Sequence, residues 1–289
     1  MKMPLFLGVC TALVTPFLNG KINFPMLQVL LQRQMSAGIE AVVLAGTTGE
    51  SATLSDTEKL ALFQRGKAFA GSRMQIIAGT GSNDTSHAIE LSIAAQKAGA
   101  DALLIVSPYY NKATADGLVA HYSAISKAVD IPIILYNVPS RTGVDIPVEV
   151  YKKLAELPNV AGVKEATTDI GKILRIRAQC PESFCIWAGN DHLTVPILSF
   201  GGKGVISVMS NLFPEQMNLM TQAALDGDFD TAATLQCRML PWTDFLGCEV
   251  NPIPIKAAMT ACGYDCGEVR LPLTSLSCAN QKVLQELLS

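Results

Sequence analysis

Short runs of apolar and β-branched residues recur along the chain: GVCTALVTP (8–16), EAVVLAGTTGE (40–50), MQIIAGTGSN (74–83), DALLIVSPYYN (101–111), IPIILYNVPSRTG (131–143), VAGVKEATTD (160–169), FCIWAGNDH (184–192) and GVISVMSN (204–211). The apolar positions in each run are continuous rather than alternating, which is the pattern of a strand covered on both faces. Between them lie segments with a helical period, such as FPMLQVLLQRQMSAG, SDTEKLALFQRGKAFAG, SHAIELSIAAQKAGA, GLVAHYSAISKAV and PVEVYKKLAELP, often ended by Gly or Pro. Strands that alternate with helices pair in parallel.

Eight such units fit a closed (β/α)₈ barrel, a TIM barrel, over residues 1–224. The remainder, 225–289, shows no strand pattern. It reads as helices, DFDTAATLQCRMLPWTDFLG, PIPIKAAMTACG and ANQKVLQELLS, forming a C-terminal helical extension packed on the barrel or on a partner subunit. The opening MKMPLFLGVCTALVTPF resembles a secretory signal in composition, yet the repeat that follows favours a buried first strand.

Composition narrows the function. A chain of 289 residues with 49% hydrophobic and 16% charged residues can bury one large core. The 22 basic and 25 acidic residues give a net charge of -3, with no basic run, which argues against nucleic acid. No apolar run reaches the roughly 18 residues of a membrane span. The eight cysteines form no CxxC pair, and the three histidines, His87, His121 and His192, share no metal-ligand spacing. Reduced cysteines, a cytoplasmic location and no metal are therefore expected.

In such a barrel the chemistry sits where strands end and the βα loops begin. Those ends are unusually polar here: Thr47 and Thr48, Ser82 and Asn83, Tyr109 and Tyr110, Tyr136, Asn137 and Arg141, Lys164 and Glu165, Asn190 and Asp191, and Ser207. One such residue is an ordinary helix cap. Together they imply a pocket.

Lys164 ends an apolar strand, and burial disfavours the charged form of an amine. A neutral amine attacks a ketone to form an imine, which withdraws electrons from the neighbouring carbon. The competing reading is a structural lysine that pairs with Glu165 or reaches the barrel rim. Imine formation needs a proton shuttle, and Tyr136, one strand earlier, is placed for it, with Thr47 or Thr48 as a relay. GTTGES (46–51) offers backbone N–H groups and hydroxyls to an anion, although it is no Walker loop, and GTGSND (79–84) lacks the third glycine of a dinucleotide fingerprint. Arg141 presents a planar fork to a carboxylate, or is simply solvated.

The motifs GTTGESATL (46–54), SPYYN (107–111), YNVPSRTG (136–143), GVKEAT (162–167), GGKGVISV (201–208) and NPIPIK (251–256) resemble the dihydrodipicolinate synthase family of pyruvate Schiff-base aldolases, across nearly the whole chain. The resemblance implies condensation of pyruvate with L-aspartate-4-semialdehyde, no cofactor, and a homotetramer of two tight dimers. It implies that Lys164 forms the imine, that Tyr136 transfers protons, and that Thr48 links Tyr136 to Tyr110, which crosses a dimer interface. It further implies that Thr47 holds the pyruvate carboxylate, Arg141 the semialdehyde carboxylate, and that Gly189 and Ile206 offer backbone groups near Lys164.

Two departures from the family pattern stand out. An inhibitory lysine pocket in the family corresponds to Ser51, Ala52, Asp56, Lys59, Asn83, His87 and Tyr109, but His87 replaces the glutamate expected to neutralise the ligand's ammonium. Weak or absent feedback by lysine is the expectation. In AGND (188–191), Asn190 stands where a second acid is more usual. Rival functions are an aldolase for N-acetylneuraminate or a 2-keto-3-deoxy sugar acid, whose polyol would not call for Arg141, and a non-catalytic barrel that binds a keto acid. A pyridoxal phosphate enzyme would need a phosphate cup that the sequence does not show.

Overall fold

A computed structural model describes residues 4–289. Eight parallel strands close into a barrel: β1 (Gly8–Ala12), β2 (Ala41–Leu44), β3 (Gln75–Gly79), β4 (Ala102–Val106), β5 (Ile133–Asn137), β6 (Val160–Glu165), β7 (Cys185–Ala188) and β8 (Gly204–Ser207). Each lies inside one of the eight apolar runs. Closure is direct, since β1 pairs with β2 through Cys10 and Ala41 and with β8 through Gly8 and Gly204. The first three residues of the signal-like opening lie outside the described residues, and Gly8–Ala12 within it is a buried strand. Among the described residues no helix is long and apolar enough to cross a membrane.

The continuous apolar runs arise because successive side chains point to opposite faces, both dry. Cys10, Ala12, Val43, Ile77, Leu104, Ile134, Tyr136, Trp187 and Ile206 pack together inside the barrel. Their strand neighbours Val9, Val42, Leu44, Ile76, Ile105, Leu135, Val163, Ile186 and Val205 form a larger outer layer against the helices. Gly162 lets β6 approach β7, because a Cβ there would lie 2.0 Å from the Cys185 carbonyl oxygen.

The helices start where the sequence signals them. Ser55 caps Asp56–Ala70 with a full capping box, its hydroxyl accepting from the Glu58 N–H at 3.2 Å and its own N–H donating to the Glu58 carboxylate at 2.9 Å. Asp84 caps Thr85–Lys97. The first turns of these two helices carry Asp56, Lys59 and His87 to one end of the barrel.

The last barrel helix, Pro214–Leu225, is followed by Phe229–Arg238, Leu240–Leu246, Ile253–Ala261 and Cys278–Leu288. The pattern read as one helix over DFDTAATLQCRMLPWTDFLG is broken at Met239, where Pro241 cannot donate a backbone hydrogen bond and begins a new helix. Phe245, Ile255, Met259, Leu276 and Leu284 join the outer core, so the tail packs on the barrel of its own chain. A small hairpin, Phe17–Leu18 with Lys21–Ile22, turns through Asn19 and Gly20, both at positive φ. LNGK carries that turn signal in the sequence.

Candidate active site

Tyr136 and Lys164 are register partners on adjacent strands. Both side chains point into the barrel, and the Lys164 Nζ lies 4.5 Å from the centre of the Tyr136 ring. Lys164 is 4% exposed. Among the described residues no carboxylate lies within ion-pair distance of its amine and no acceptor is hydrogen-bonded to it. Its charge reaches Cys10 and Asp191: burial pushes the Cys10 thiol up, burial also raises the Asp191 carboxyl, and Lys164 opposes both shifts. Asp191 in turn accepts from the Val208 and Met209 N–H groups at 3.0 and 3.1 Å.

The structural alternative, a Lys164–Glu165 pair, fails on geometry, since consecutive strand residues face opposite ways. Glu165 points outward, where its carboxylate accepts from Asn137 Nδ2 at 2.6 Å, the Tyr151 hydroxyl at 2.8 Å and the Thr167 N–H at 3.0 Å, and lies 3.5 Å from Lys172. Burial raises its pKa, against the lowering effect of Lys172 and these donors.

Above the barrel end lies a cavity of about 650 Å³. Thr47, Tyr136 and Arg141 line it, and so do Ser51, Ala52, Asp56, Lys59, His87 and Tyr109. Thr47, Tyr136 and Arg141 thus share one continuous space with most of the candidate regulatory residues in a single chain, while Lys164 is not itself among the lining residues and lies behind the Tyr136 ring. Arg141 sits on a four-residue helix, Pro139–Thr142, and its guanidinium has no hydrogen-bond or ionic partner among the described residues. The tail contributes Val250, Asn251, Pro252, Pro272 and Leu273 to the wall.

The remaining predicted residues are spread around this space. Thr48 is buried behind the wall, its hydroxyl accepting from Asn251 Nδ2 at 3.0 Å. Gly189 follows β7, with its N–H donated to the Glu165 carbonyl at 2.7 Å, which leaves its carbonyl for any ligand. Ile206 is fully buried in β8. Asn83 does not line the cavity; its carbonyl accepts from Asn111 Nδ2 at 2.9 Å. Tyr110 is outside its own chain's cavity, 90% exposed, on a left-handed backbone (φ 70°). Asn190 donates to the Thr167 carbonyl at 3.2 Å.

In the upper wall, His87 Nε2 lies 2.8 Å from Asp56 Oδ2 and Lys59 Nζ 3.5 Å from Asp56 Oδ1. His87 first, then the nearby Lys59 charge, hold the Asp56 carboxyl below its ordinary value. Among the described residues no group of three or more His, Cys, Asp or Glu side chains converges on a metal-sized space.

A second device, absent from the sequence reading, holds the GTTGE turn. Lys256 is 3% exposed, and its ammonium donates to Glu50 Oε1 at 2.9 Å, the Glu268 carbonyl at 3.0 Å and the Thr15 carbonyl at 3.2 Å. The Arg270 N–H donates to Glu50 Oε2 at 2.8 Å. Glu50 itself is left-handed (φ 57°). NPIPIK was visible as a motif, but no local pattern tells that its lysine reaches a glutamate 206 residues away.

Comparison with known proteins bears on the fold and the family. Residues 5–289 match the Dihydrodipicolinate synthetase family. A 4-hydroxy-tetrahydrodipicolinate synthase from Thermoanaerobacter sp. (strain X514) is 45% identical over 288 residues, 99% of this chain and 97% of that one. The solved dihydrodipicolinate synthase from Aquifex aeolicus superposes with a TM-score of 0.96 at 41% identity, covering 98% of this chain and 97% of that one. A chloride-inhibited dihydrodipicolinate synthase from Acinetobacter baumannii, solved in complex with pyruvate, has a TM-score of 0.96 at 39% identity, covering 98% of both chains. Since the match runs through the barrel and the tail that closes over it, the chain belongs to the dihydrodipicolinate synthetase family.

Proposed function

We propose that this chain is a 4-hydroxy-tetrahydrodipicolinate synthase, condensing pyruvate with L-aspartate-4-semialdehyde through an imine on Lys164. The observation that carries the reading is a buried amine with no counter-charge, set against Tyr136 below a cavity that bears an unpaired arginine. The kinship with synthases supports the substrates, and the pyruvate complex of the Acinetobacter relative supports the first of them. It gives no support to the sugar-acid alternative.

In this mechanism the Lys164 nitrogen adds to the pyruvate ketone and water leaves. The resulting iminium acidifies the methyl group, whose proton departs to give an enamine. The enamine carbon attacks the aldehyde, and the amine of the semialdehyde then closes the ring onto the imine carbon and frees Lys164. Tyr136 carries protons in these steps. Thr47 shares the cavity wall with Tyr136 and Thr48 lies behind it, its hydroxyl accepting from Asn251, so the two threonines between them serve the proton relay and the pyruvate carboxylate. Arg141 takes the semialdehyde carboxylate. The exposure of Tyr110 supports its service to a neighbouring subunit in a homotetramer.

Borohydride reduction in the presence of pyruvate, followed by mass spectrometry, is expected to find the adduct on Lys164. A coupled assay is expected to favour aspartate semialdehyde over N-acetylneuraminate and 2-keto-3-deoxygluconate. Arg141→Ala is expected to weaken use of the semialdehyde by about a hundredfold while imine trapping persists. No adduct, or equal loss of both activities in Arg141→Ala, would overturn the assignment.

A further inference from the structure

The outward-facing residues that directly follow Tyr136 and Lys164 are Asn137 and Glu165, themselves register partners and both fully buried. Asn137 Nδ2 donates to Glu165 Oε1 at 2.6 Å and to Asp145 Oδ1 at 2.8 Å, and Asn137 Oδ1 accepts from the Ile146 N–H at 3.0 Å. Lys172, 4% exposed, bonds Asp145 and lies 3.5 Å from Glu165. Asp145 and Ile146 end the loop that begins with the Arg141 helix. One amide therefore ties the β5–β6 pair, on whose inner face Tyr136 and Lys164 meet, to the loop that aims Arg141.

We infer that Asn137, Glu165, Lys172 and Asp145 form a brace behind the site that sets the Arg141 loop against the Tyr136–Lys164 pair, making Asp145 a positioning residue for the carboxylate-bearing second substrate. This rests on the reading above for the identity of that substrate. The chemistry suits the task, because a binding group held to within a fraction of an ångström needs supporting residues whose own hydrogen bonds are satisfied. Asp145 is the loop's side-chain link to that network, beside the backbone link from the Ile146 N–H to Asn137, whereas Arg141 has no partner to hold it. The side chain of Asp145 is 54% exposed, and without it Lys172 keeps Glu165, so its replacement leaves no buried charge unpaired.

The test compares Asp145→Ala and Asp145→Asn with the wild-type enzyme. Asp145→Ala is expected to raise KM for the semialdehyde by about tenfold, with pyruvate trapping on Lys164 at its wild-type concentration dependence. Asp145→Asn keeps an acceptor for Asn137 and is expected to restore KM to within about threefold of wild type. An unchanged KM in Asp145→Ala, or a parallel loss of pyruvate trapping, overturns the brace. Should the wild-type enzyme itself neither trap pyruvate nor use the semialdehyde, the functional reading fails, and hydrogen exchange across residues 138–147 decides the brace alone: faster exchange in Asp145→Ala supports it, and unchanged exchange overturns it.

Discussion

Lys164 in the barrel mouth and Lys256 beneath the tail are almost equally buried, at 4% and 3% exposure, yet their surroundings are opposites. Lys256 spends its ammonium on a carboxylate and two carbonyls and lies 4.5 Å above the ring of Phe17. Lys172 is likewise held between Asp145 and Glu165. Lys164 has the face of Tyr136 and, among the described residues, no carboxylate within ion-pair distance, Asp191 feeling its charge only at longer range. A buried charge is normally paired because desolvation is expensive. The lysine left without a partner is the one whose nitrogen remains free to make a bond. Burial alone therefore does not single out the lysine proposed to form the imine; the lack of a carboxylate within ion-pair distance does.

The sharpest way to break this contrast is to remove each amine in turn. Lys164→Met is expected to lower turnover by a thousandfold or more, on the order expected for loss of a covalent nucleophile, with thermal stability kept or slightly raised, since no ion pair is lost. Lys256→Met is expected to strand Glu50 and lower stability by about 3–5 kcal/mol, measured by denaturant unfolding. If Lys164→Met destabilised the fold as much as Lys256→Met, the distinction would not hold.

A buried histidine sharpens the comparison by titrating. His121 bonds Thr85 through Nδ1 at 2.9 Å, and burial lowers its pKa from 6.5 to about 4. The unfolded chain takes up this proton at higher pH than the folded one, so the stabilisation is complete above pH 6.5 and is lost as pH falls toward about 4. Thermal melts of wild type across that window should show a steeper decline than those of His121→Asn, and parallel curves would refute the assignment.

The smallest effect concerns the upper wall of the cavity. Asp56 is already engaged by His87 and Lys59, so it offers an incoming ammonium little unmet charge. L-lysine at about millimolar concentration, where half-saturation would need a binding free energy of only about -4 kcal/mol, is expected to leave the rate nearly unchanged. Half-inhibition at low-micromolar lysine would show that the pair opens to admit the ligand.

Much of this was legible along the chain. The eight apolar runs became the eight barrel strands, because a strand dry on both faces has no polar alternation to obscure it. Lys164, Tyr136 and Arg141 were singled out from their places at strand ends, and the structure brings Tyr136 beside Lys164 and onto the cavity wall with Arg141. Less legible were the break at Pro241, although a proline within a helical pattern announces it, and the hairpin at Asn19–Gly20. Asn251 and Lys256 lay in the visible NPIPIK motif with nothing to announce their partners, and Asp145 carried no signal.

The sequence by itself determined the barrel, the register of polar residues at strand ends, and the chemical types available there, since these follow from local periodicity and from the two-residue repeat of a strand. Tertiary structure alone decided which lysine goes unpaired. Whether an ammonium meets a carboxylate depends on side chains brought together from 206 residues apart, as in Lys256 and Glu50, or separated though adjacent, as in Lys164 and Glu165. Distances in space, not along the chain, set the electrostatics that distinguish a paired amine from an unpaired one.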